Sequence, residues 1–329
     1  MVYLAKTITL LYGIHFLSLG GVFFMLLDDI MQEFEFHLQT KNYSSRTIKS
    51  YRNNNKKFIS YLTTNNVTKL HQINTKHIKT YINQLMKLGR QASYCNSILK
   101  CIRALFIYCL EEEYITNNPC DKVSWIKEPK CIINTFNDKE IHSMLNTYQG
   151  HTFMDIRNKL IIALLLDTGI RNLELCNINT LDVKDRVIHI QGKGNKERVV
   201  PISPMLKKLI IRYDRVRSIF IQDKLITTDS YLLSQTGNRL TIEAVERVVR
   251  KCGQKAKVRE SIRCSPHTLR HYYAQAMLRG GLDVYSLSRL LGHEDISITK
   301  RYLQSIQDDT ILELATTTSP LMNIKRGSK

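Results

Sequence analysis

The segment between residues 119 and 136 constrains the fold of this chain more than any other. It contains Pro119, Pro129 and several charges, and few of its apolar residues fall at periodic positions. Segments of this composition connect domains. Single hydrophobic cores stop growing at about 250–300 residues, and the chain has 329 residues. We therefore predict two domains, with residues 119–136 as the linker between them.

The chain is strongly basic. It carries 48 Lys and Arg against 29 Asp and Glu, a formal charge of +19, and the excess is spread along the sequence instead of forming a tail. This distribution favours a polyanionic partner such as DNA. Charge alone also fits a basic protein with no nucleic-acid role, so the motifs must decide between the two.

Residues 31–118 carry apolar side chains at helical spacing, which predicts a helical domain. A first run follows the cap candidates Ser44 and Ser45, and two further runs follow Asn74 and Ser93. Basic residues lie on the other faces of the first run, so we predict that this domain binds DNA phosphates. The candidate contacts are Lys49, Arg52, Lys56 and Lys57.

Residues 1–30 form an apolar N-terminal extension. The run from Ile8 to Leu27 has about the length that crosses a membrane, and it lies between Lys6 and Asp28. One interpretation is a membrane anchor or an uncleaved signal. The interpretation that we prefer is an upstream start, with Met25 or Met31 as the first residue of the functional protein. We therefore expect no stable membrane partner.

The eight cysteines are widely spaced and form no CxxC pair or zinc-finger pattern. Reduced thiols in a cytoplasmic protein are the simplest interpretation. The cysteines are Cys95, Cys101, Cys109, Cys120, Cys131, Cys176, Cys252 and Cys264.

The second domain is predicted at residues 137–316, followed by a tail at 317–329. Asn137 and Glu140 have capping-box spacing, and helices should follow through Leu166. Two β-type runs, 187–190 and 199–202, flank a glycine-containing turn and predict a hairpin. Helical spacing then extends from Thr241 to Gln304, with breaks at Gly280–Gly281 and at Gly292.

Two stretches of this domain present a cation at a turn. In TGIRNLEL, the glycine turn places Arg171 in the first turn of a helix, where it suits a phosphate. An ion pair with Glu174 or Glu197 is the alternative. In GKGNKER, Lys193 lies at the hairpin tip and could donate a proton to a leaving oxygen. A solvated basic turn is the alternative there.

The stretch HTLRH places His267 and Arg270 three residues apart on one helical face, with Leu269 facing inward. Both side chains could therefore contact one phosphate. Zinc binding by His267, His271 and Cys264 is the alternative, although a fourth ligand at a recognisable spacing is missing from the sequence. We predict no metal site.

The stretch LGHEDISITKRY contains His293 and Tyr302. On one unbroken helix these residues would lie on nearly opposite faces. Gly292 should end the helix, with Asp295 or Ser297 capping the next, so that His293 turns back toward Tyr302. Taken alone, Tyr302 could equally be a core aromatic residue.

In this order, the four stretches resemble the active-site signature of the tyrosine recombinase, or phage integrase, family. The matching residues are Arg171, Lys193, His267, Arg270, His293 and Tyr302. Residues 31–118 are similar to the family's core-binding domain, whereas the first thirty residues fall outside the resemblance. The resemblance also marks Glu174 as an acidic residue that orients the site.

The resemblance implies a mainly α protein with a small antiparallel β-sheet, built as a two-domain DNA clamp. A helical N-terminal domain would precede a mixed α/β catalytic domain. The implied function is site-specific DNA recombination through a 3′-phosphotyrosyl bond to Tyr302, without a cofactor. Tyrosine has a pKa near 10, so Tyr302 should need the surrounding cations to act as a nucleophile. The implied partners are double-stranded DNA and three further copies, in a homotetramer on two sites in the cytoplasm.

Three other functions remain open from the sequence. A type IB topoisomerase uses similar chemistry but relaxes any supercoiled DNA. A regulator that binds DNA without catalysis is a second possibility, although all six expected positions carry the expected residue types. A protein tethered to a membrane by residues 1–30 is the third.

Overall fold

The structure is a computed structural model that describes residues 17–19, 22–24, 26–129, 133–192, 196–303 and 315–316. The chain forms two compact units, residues 1–130 and residues 131–329. The described residues are mainly helical, and a hairpin in the second unit forms a small antiparallel sheet. The predicted fold class is therefore confirmed.

The first unit contains a short antiparallel strand pair followed by four helices. Strands β1 (Leu17–Leu19) and β2 (Val22–Phe24) pair with Leu17 opposite Phe24. The helices are α1 (Leu27–Thr40), α2 (Ser45–Thr64), α3 (Thr75–Lys87) and α4 (Ala92–Glu111). Their apolar faces meet in one core that includes Phe34, Phe58 and Ile98.

The caps of these helices follow the predicted polar residues in two cases. The Ser44 hydroxyl accepts a hydrogen bond from the backbone of Thr47, and the Asn74 side chain caps α3. The third run begins one residue before Ser93, after Gln91, whose side chain makes no capping hydrogen bond. A polar residue near the start therefore indicated each of the three predicted helices, but it was not always the capping residue.

Most of the apolar run from Ile8 to Leu27 lies outside the described residues. The described part contains β1, β2 and the first residue of α1. Among the described residues, no helix combines the length and apolar character that crossing a membrane requires.

The second unit contains eight helices and one strand pair among its described residues. The helices are α5 (Asp138–Leu145), α6 (Phe153–Thr168), α7 (Asn172–Asn177), α8 (Pro204–Lys224), α9 (Ile242–Lys255), α10 (Pro266–Arg279), α11 (Val284–Leu291) and α12 (Ile296–Leu303). Helix α6 is buried on nearly every side because Leu160–Leu165 is an unbroken apolar run. It packs against α8 and α10 and forms the centre of this unit.

Strands β3 (Val187–Gln191) and β4 (Glu197–Pro201) form the predicted hairpin, with His189 opposite Val199. Both strands bury alternate side chains, which is the period expected of a half-buried strand. The tip, residues 193–195, lies outside the described residues. Lys193 is one of these three, so the predicted position of its ammonium group stays a prediction.

Helix α8 is the longest described helix, with 21 residues, and the sequence analysis did not predict it. Only Leu206, Ile210 and Tyr213 are buried on it. A stripe this narrow, among many basic residues, gives a weak periodic signal.

The turn at Gly169 supports a prediction about stability. Gly169 has a φ of +59°, and a Cβ built on it would lie 2.2 Å from Cδ1 of Tyr273. We expect Gly169→Ala to lower the free energy of unfolding by at least about 2 kcal/mol, from left-handed strain and overpacking. Urea denaturation followed by circular dichroism measures this loss.

Gly280→Ala is the matched control in the same unit. Gly280 has a φ of −76°, and the nearest atom to an added Cβ lies 3.4 Å away. We expect the free energy of unfolding of this variant to stay within about 0.5 kcal/mol of that of the parent protein. Equal losses in the two variants would contradict the packing argument.

Candidate active site

Five of the six predicted catalytic side chains line one cavity of about 750 Å³ in the second unit. They are Arg171, His267, Arg270, His293 and Tyr302. They come from four separate places in the sequence: the turn after α6, the helix α10, the turn after α11 and the helix α12. The sixth, Lys193, lies outside the described residues.

Arg270 forms the floor of this cavity and is only 3% exposed. Its guanidinium donates to the carbonyl oxygens of Gly169 at 2.7 Å and Leu291 at 2.8 Å, and to Nε2 of His293 at 2.9 Å. Burial, together with the charge of Arg171, lowers the pKa of Arg270 to about 10. The group thus keeps its charge at neutral pH, and its neutral partners leave that charge available to an anion.

Arg171 lies one residue before α7, at the N-cap, and not inside the first helical turn as predicted. Its backbone is extended there, with a φ of −73° and a ψ of 153°. The guanidinium donates to Oε1 of Glu174 at 2.8 Å and to the carbonyl of Gly292 at 3.0 Å. The ion pair with Glu174, which the sequence offered as the alternative to phosphate binding, is therefore present. The Arg171 side chain nevertheless remains 43% exposed and lines the cavity.

Glu174 is buried between two arginines. Its carboxylate accepts hydrogen bonds from Arg198 at 2.7 and 2.9 Å as well as from Arg171. Burial by itself would raise the pKa of this carboxyl, but the hydrogen bonds from Arg198 and Arg171 lower it to about 2. Arg198 also donates to the carbonyl of Leu290 at 2.8 Å. This network holds α7, β4 and the end of α11 together.

The predicted helix break at Gly292 is present. Gly292 has a φ of +64° and ends α11, and the Asp295 carboxylate accepts a hydrogen bond from the backbone of Ser297 at 2.8 Å. Asp295, not Ser297, therefore provides the capping side chain. The break turns His293 into the cavity, as predicted.

The ring of His293 is fixed by two partners. An arginine can only donate, so Nε2 accepts from Arg270, and Nδ1 donates to Oγ1 of Thr299 at 2.8 Å. Burial and the charges of Arg270 and Arg171 lower the pKa of this imidazole to about 4. The ring is thus neutral at neutral pH.

Tyr302 is 3% exposed and packs in a small apolar cluster with Tyr273, Leu287 and Leu291. Its hydroxyl lies 2.9 Å from Nδ1 of His271. Burial raises the pKa of the phenol despite the opposing charges of Arg270, Arg301 and Arg171. The three arginines thus act on the phenol in the expected direction, but burial outweighs them in this structure, and activation of Tyr302 by the surrounding cations stays a prediction.

The zinc alternative finds no support in the geometry. His267 and His271 do lie together, with ring centroids 4.1 Å apart. The Cys264 thiol instead lies 3.9 Å from the carbonyl oxygen of Ile262. Within the described ranges, no group of three or more His, Cys, Asp or Glu side chains is placed to hold a metal ion.

Of the four candidate DNA contacts on α2, three are exposed: Lys49, Lys56 and Lys57. Arg52 differs, because its guanidinium makes two 2.5 Å contacts with the carboxylate of Glu35. The arginine is thus already paired with an acid of α1. That pairing leaves the three lysines as the better candidates.

Comparison with known proteins decides the family. The model of the phage integrase family matches residues 134–308, which is more than half of the chain. The model of the phage integrase N-terminal SAM-like domain matches residues 30–116.

The chain belongs to the phage integrase family.

The curated relatives of this phage integrase are named tyrosine recombinases. XerD of Staphylococcus epidermidis is 28% identical over 280 residues, which cover 84% of this chain and 94% of XerD. XerC of Thermodesulfovibrio yellowstonii is 29% identical over 266 residues, or 80% of this chain and 86% of XerC. The predicted family and the predicted activity, site-specific DNA recombination, are confirmed.

Two solved structures share the fold of this phage integrase. A λ integrase tetramer bound to a Holliday junction has a TM-score of 0.68 at 16% identity. The matched region covers 91% of this chain and 84% of the λ integrase chain. The XerH recombinase in a post-cleavage complex with a difH substrate has a TM-score of 0.69 at 20% identity, with coverages of 88% and 84%.

Two residues of this phage integrase site were not assigned a role from the sequence. His271 follows His267 by one helical turn, and that spacing could have indicated a shared face. Arg198 lies two residues before the buried Val200 on β4, so strand alternation places its side chain on the inner face. Both signals were present, but each also fits an ordinary packing residue.

Proposed function

We propose that Tyr302 is the nucleophile with which this phage integrase cleaves DNA. Its hydroxyl would attack a backbone phosphate, form a 3′-phosphotyrosyl bond and release a 5′-hydroxyl. That hydroxyl later attacks the partner strand, so the energy of the broken bond is kept and neither ATP nor another cofactor is needed. The observation that carries this proposal is the cavity that contains Tyr302 together with Arg171, Arg270, His267 and His293.

The positions of the two arginines in one cavity support their role as a phosphate clamp. Phosphoryl transfer builds negative charge on the nonbridging oxygens, which arginine can bind with paired hydrogen bonds. Arg270 supplies a buried, fixed charge, and Arg171 supplies a more exposed one at the cavity wall. His293 would position the phosphate by a hydrogen bond, for which its Nε2 would exchange the bond from Arg270 for a proton that it can donate. His267 would assist proton transfer. Lys193 would donate the proton to the leaving 5′-oxygen.

We further propose a division of labour along the chain. Residues 31–118 would bind the core DNA site, and residues 137–316 would carry out catalysis. The working assembly would be a homotetramer on two sites in the cytoplasm. The λ integrase tetramer on a Holliday junction supports this assembly by analogy. The biological role would be integration and excision, or resolution, of DNA elements.

Covalent capture tests the proposed activity. The full chain is incubated with sheared genomic DNA of its source organism, the mixture is denatured with SDS, and the DNA that remains attached to protein is sequenced. We expect one recurrent site and, on plasmids carrying two copies of it, recombinant products. Relaxation of any supercoiled plasmid without recombinants would instead indicate a topoisomerase, and complete absence of adducts would contradict the proposal.

The lysines of α2 give a prediction about DNA affinity. A variant with Lys49, Lys56 and Lys57 replaced by alanine should bind the captured site more weakly. The slope of log affinity against log salt should fall by about 0.9 for each DNA phosphate that the variant no longer neutralises. Fluorescence anisotropy at several salt concentrations measures both quantities.

A charge-matched control replaces three other exposed lysines of the same unit, Lys41, Lys87 and Lys122. This control should keep the parent's slope. A fall of the same size in both variants would mean that α2 has no special contact with DNA.

A further inference from the structure

The imidazole of His271 lies against the hydroxyl of Tyr302, and the mechanism proposed above leaves it without a role. Its Nδ1 is 2.9 Å from the tyrosine oxygen, which is hydrogen-bond distance. His271 belongs to α10 and directly follows Arg270, whose backbone and side chain are both fixed. The position of His271 beside Tyr302 is therefore set by the same helix that carries Arg270.

The surroundings of His271 keep it neutral. His267 and Arg270 lie beside it on its own helix, Arg301 and Tyr302 face it from α12, and His293 faces it from the turn before α12. Burial, followed by the electrostatic influence of His267 and Arg270, lowers the pKa of the imidazole to about 4. A neutral imidazole has one ring nitrogen free to accept a hydrogen bond.

The phenol of Tyr302, in contrast, tends to keep its proton. Burial raises the pKa of its phenol, so the oxygen carries its proton before DNA arrives. A protonated phenol beside a neutral imidazole can donate to Nδ1, with the remaining ring proton on Nε2. The hydrogen bond is then already aligned for proton transfer from the tyrosine to the histidine.

Resting on the proposed function of Tyr302, we propose that His271 is the catalytic base that removes the phenol proton as the oxygen attacks. The O–H bond of Tyr302 breaks and an N–H bond forms at Nδ1. The tyrosine oxygen bonds to phosphorus while the bond from phosphorus to the 5′-oxygen breaks. That oxygen takes its proton from Lys193, so each proton leaving one group arrives on another.

Substrate binding would make His271 a better base. A phosphate held by Arg270 and Arg171 brings negative charge next to the cations that now disfavour the imidazolium. The pKa of His271 therefore moves upward toward the working pH when DNA is present, which is the range where a general base is most effective. Proton removal is in this way coupled to occupancy of the clamp.

Two substitutions separate proton acceptance from positioning. His271→Asn keeps a hydrogen-bond acceptor near the position of Nδ1 but cannot take the proton, whereas His271→Phe removes both abilities. The assay is single-turnover formation of the SDS-resistant adduct on a synthetic duplex of the captured site. We expect both variants to lose at least about 100-fold in rate with DNA binding retained. The Asn variant should also lose the acid limb of the parent's pH–rate profile.

His142→Asn is the control, because His142 is an exposed residue of α5 away from the cavity. It should stay within about twofold of the parent rate. If His271→Asn cleaves at the parent rate while His271→Phe does not, the histidine only positions the tyrosine, and the proposal is overturned.

A modified duplex distinguishes this base from the proposed acid. Sulfur in place of the 5′-bridging oxygen at the cleavage position gives a leaving group that needs no proton. It should restore cleavage by Lys193→Ala but leave His271→Asn slow. Rescue of His271→Asn would assign the histidine to the leaving group and overturn the proposal. Adduct formation by the parent protein tests the proposed function of Tyr302 separately from the role of His271. If the parent forms no adduct, the proposed function fails as well as the role of His271.

Discussion

Replacing Tyr302 by phenylalanine is expected to abolish the covalent protein–DNA adduct, a loss on the order of 10⁶-fold by comparison with the removal of other enzymatic nucleophiles. The substitution deletes only the hydroxyl, and the ring can keep its packing against Tyr273, Leu287 and Leu291. DNA binding should therefore remain close to that of the parent. Adducts are measured by SDS gel with end-labelled duplex, and binding by anisotropy.

Two neighbouring tyrosines provide the controls. The hydroxyl of Tyr272 donates to Asp138 at 2.7 Å, outside the cavity lining, and Tyr273 is buried in the cluster beneath Tyr302. Tyr272→Phe and Tyr273→Phe should both still form adducts. If Tyr302→Phe still formed the adduct and one of these controls did not, the nucleophile would be the tyrosine replaced in that control.

Replacing Glu174 by glutamine is expected to cost about 3 kcal/mol of stability at neutral pH. The carboxyl has a pKa of about 2 in the folded chain against an ordinary value of 4.5, a difference that corresponds to about that energy. This expected loss agrees with the cost of about 3–5 kcal/mol for removing one partner of a buried ion pair in other proteins. Urea denaturation at pH 7 measures the loss, and the exposed Glu260→Gln should change stability by less than about 0.5 kcal/mol.

The same carboxyl predicts how this difference depends on pH. Because its pKa is lowered by folding, the stabilisation is complete above the unfolded value of 4.5 and is lost as the pH falls toward 2. The stabilities of the parent and of Glu174→Gln should therefore converge between pH 4.5 and pH 2. A gap that stays constant over this interval would show that the loss comes from altered packing and not from the charge.

The sequence predicted which residues lie together in the cavity better than it predicted their surroundings. Ordered motifs identified Arg171, Arg270, His293 and Tyr302, and the glycine at 292 indicated the turn that brings the last two together. Each of these signals is local, because it depends on the spacing along a helix or on the φ that only glycine adopts easily.

Long-range contacts were not predictable in the same way. The distance from Arg198 to Glu174 and that from His271 to Tyr302 each depend on how separate elements pack. The direction in which the pKa of Tyr302 shifts was unpredictable for the same reason, because nearby charges can be inferred from the sequence whereas the degree of burial cannot. Helix α8 was missed because few of its residues reach the core.

The contacts of Arg270 also bear on the thermodynamics of substrate binding. Its guanidinium is held by the carbonyls of Gly169 and Leu291 before any DNA is present, so the side chain would have little freedom left to lose on binding a phosphate. An arginine ordered only on binding would subtract about 0.5–1.5 kcal/mol from the affinity. Folding of the second unit has already met that entropic cost. In the proposed function, more of the energy of phosphate binding would therefore be applied to the transition state.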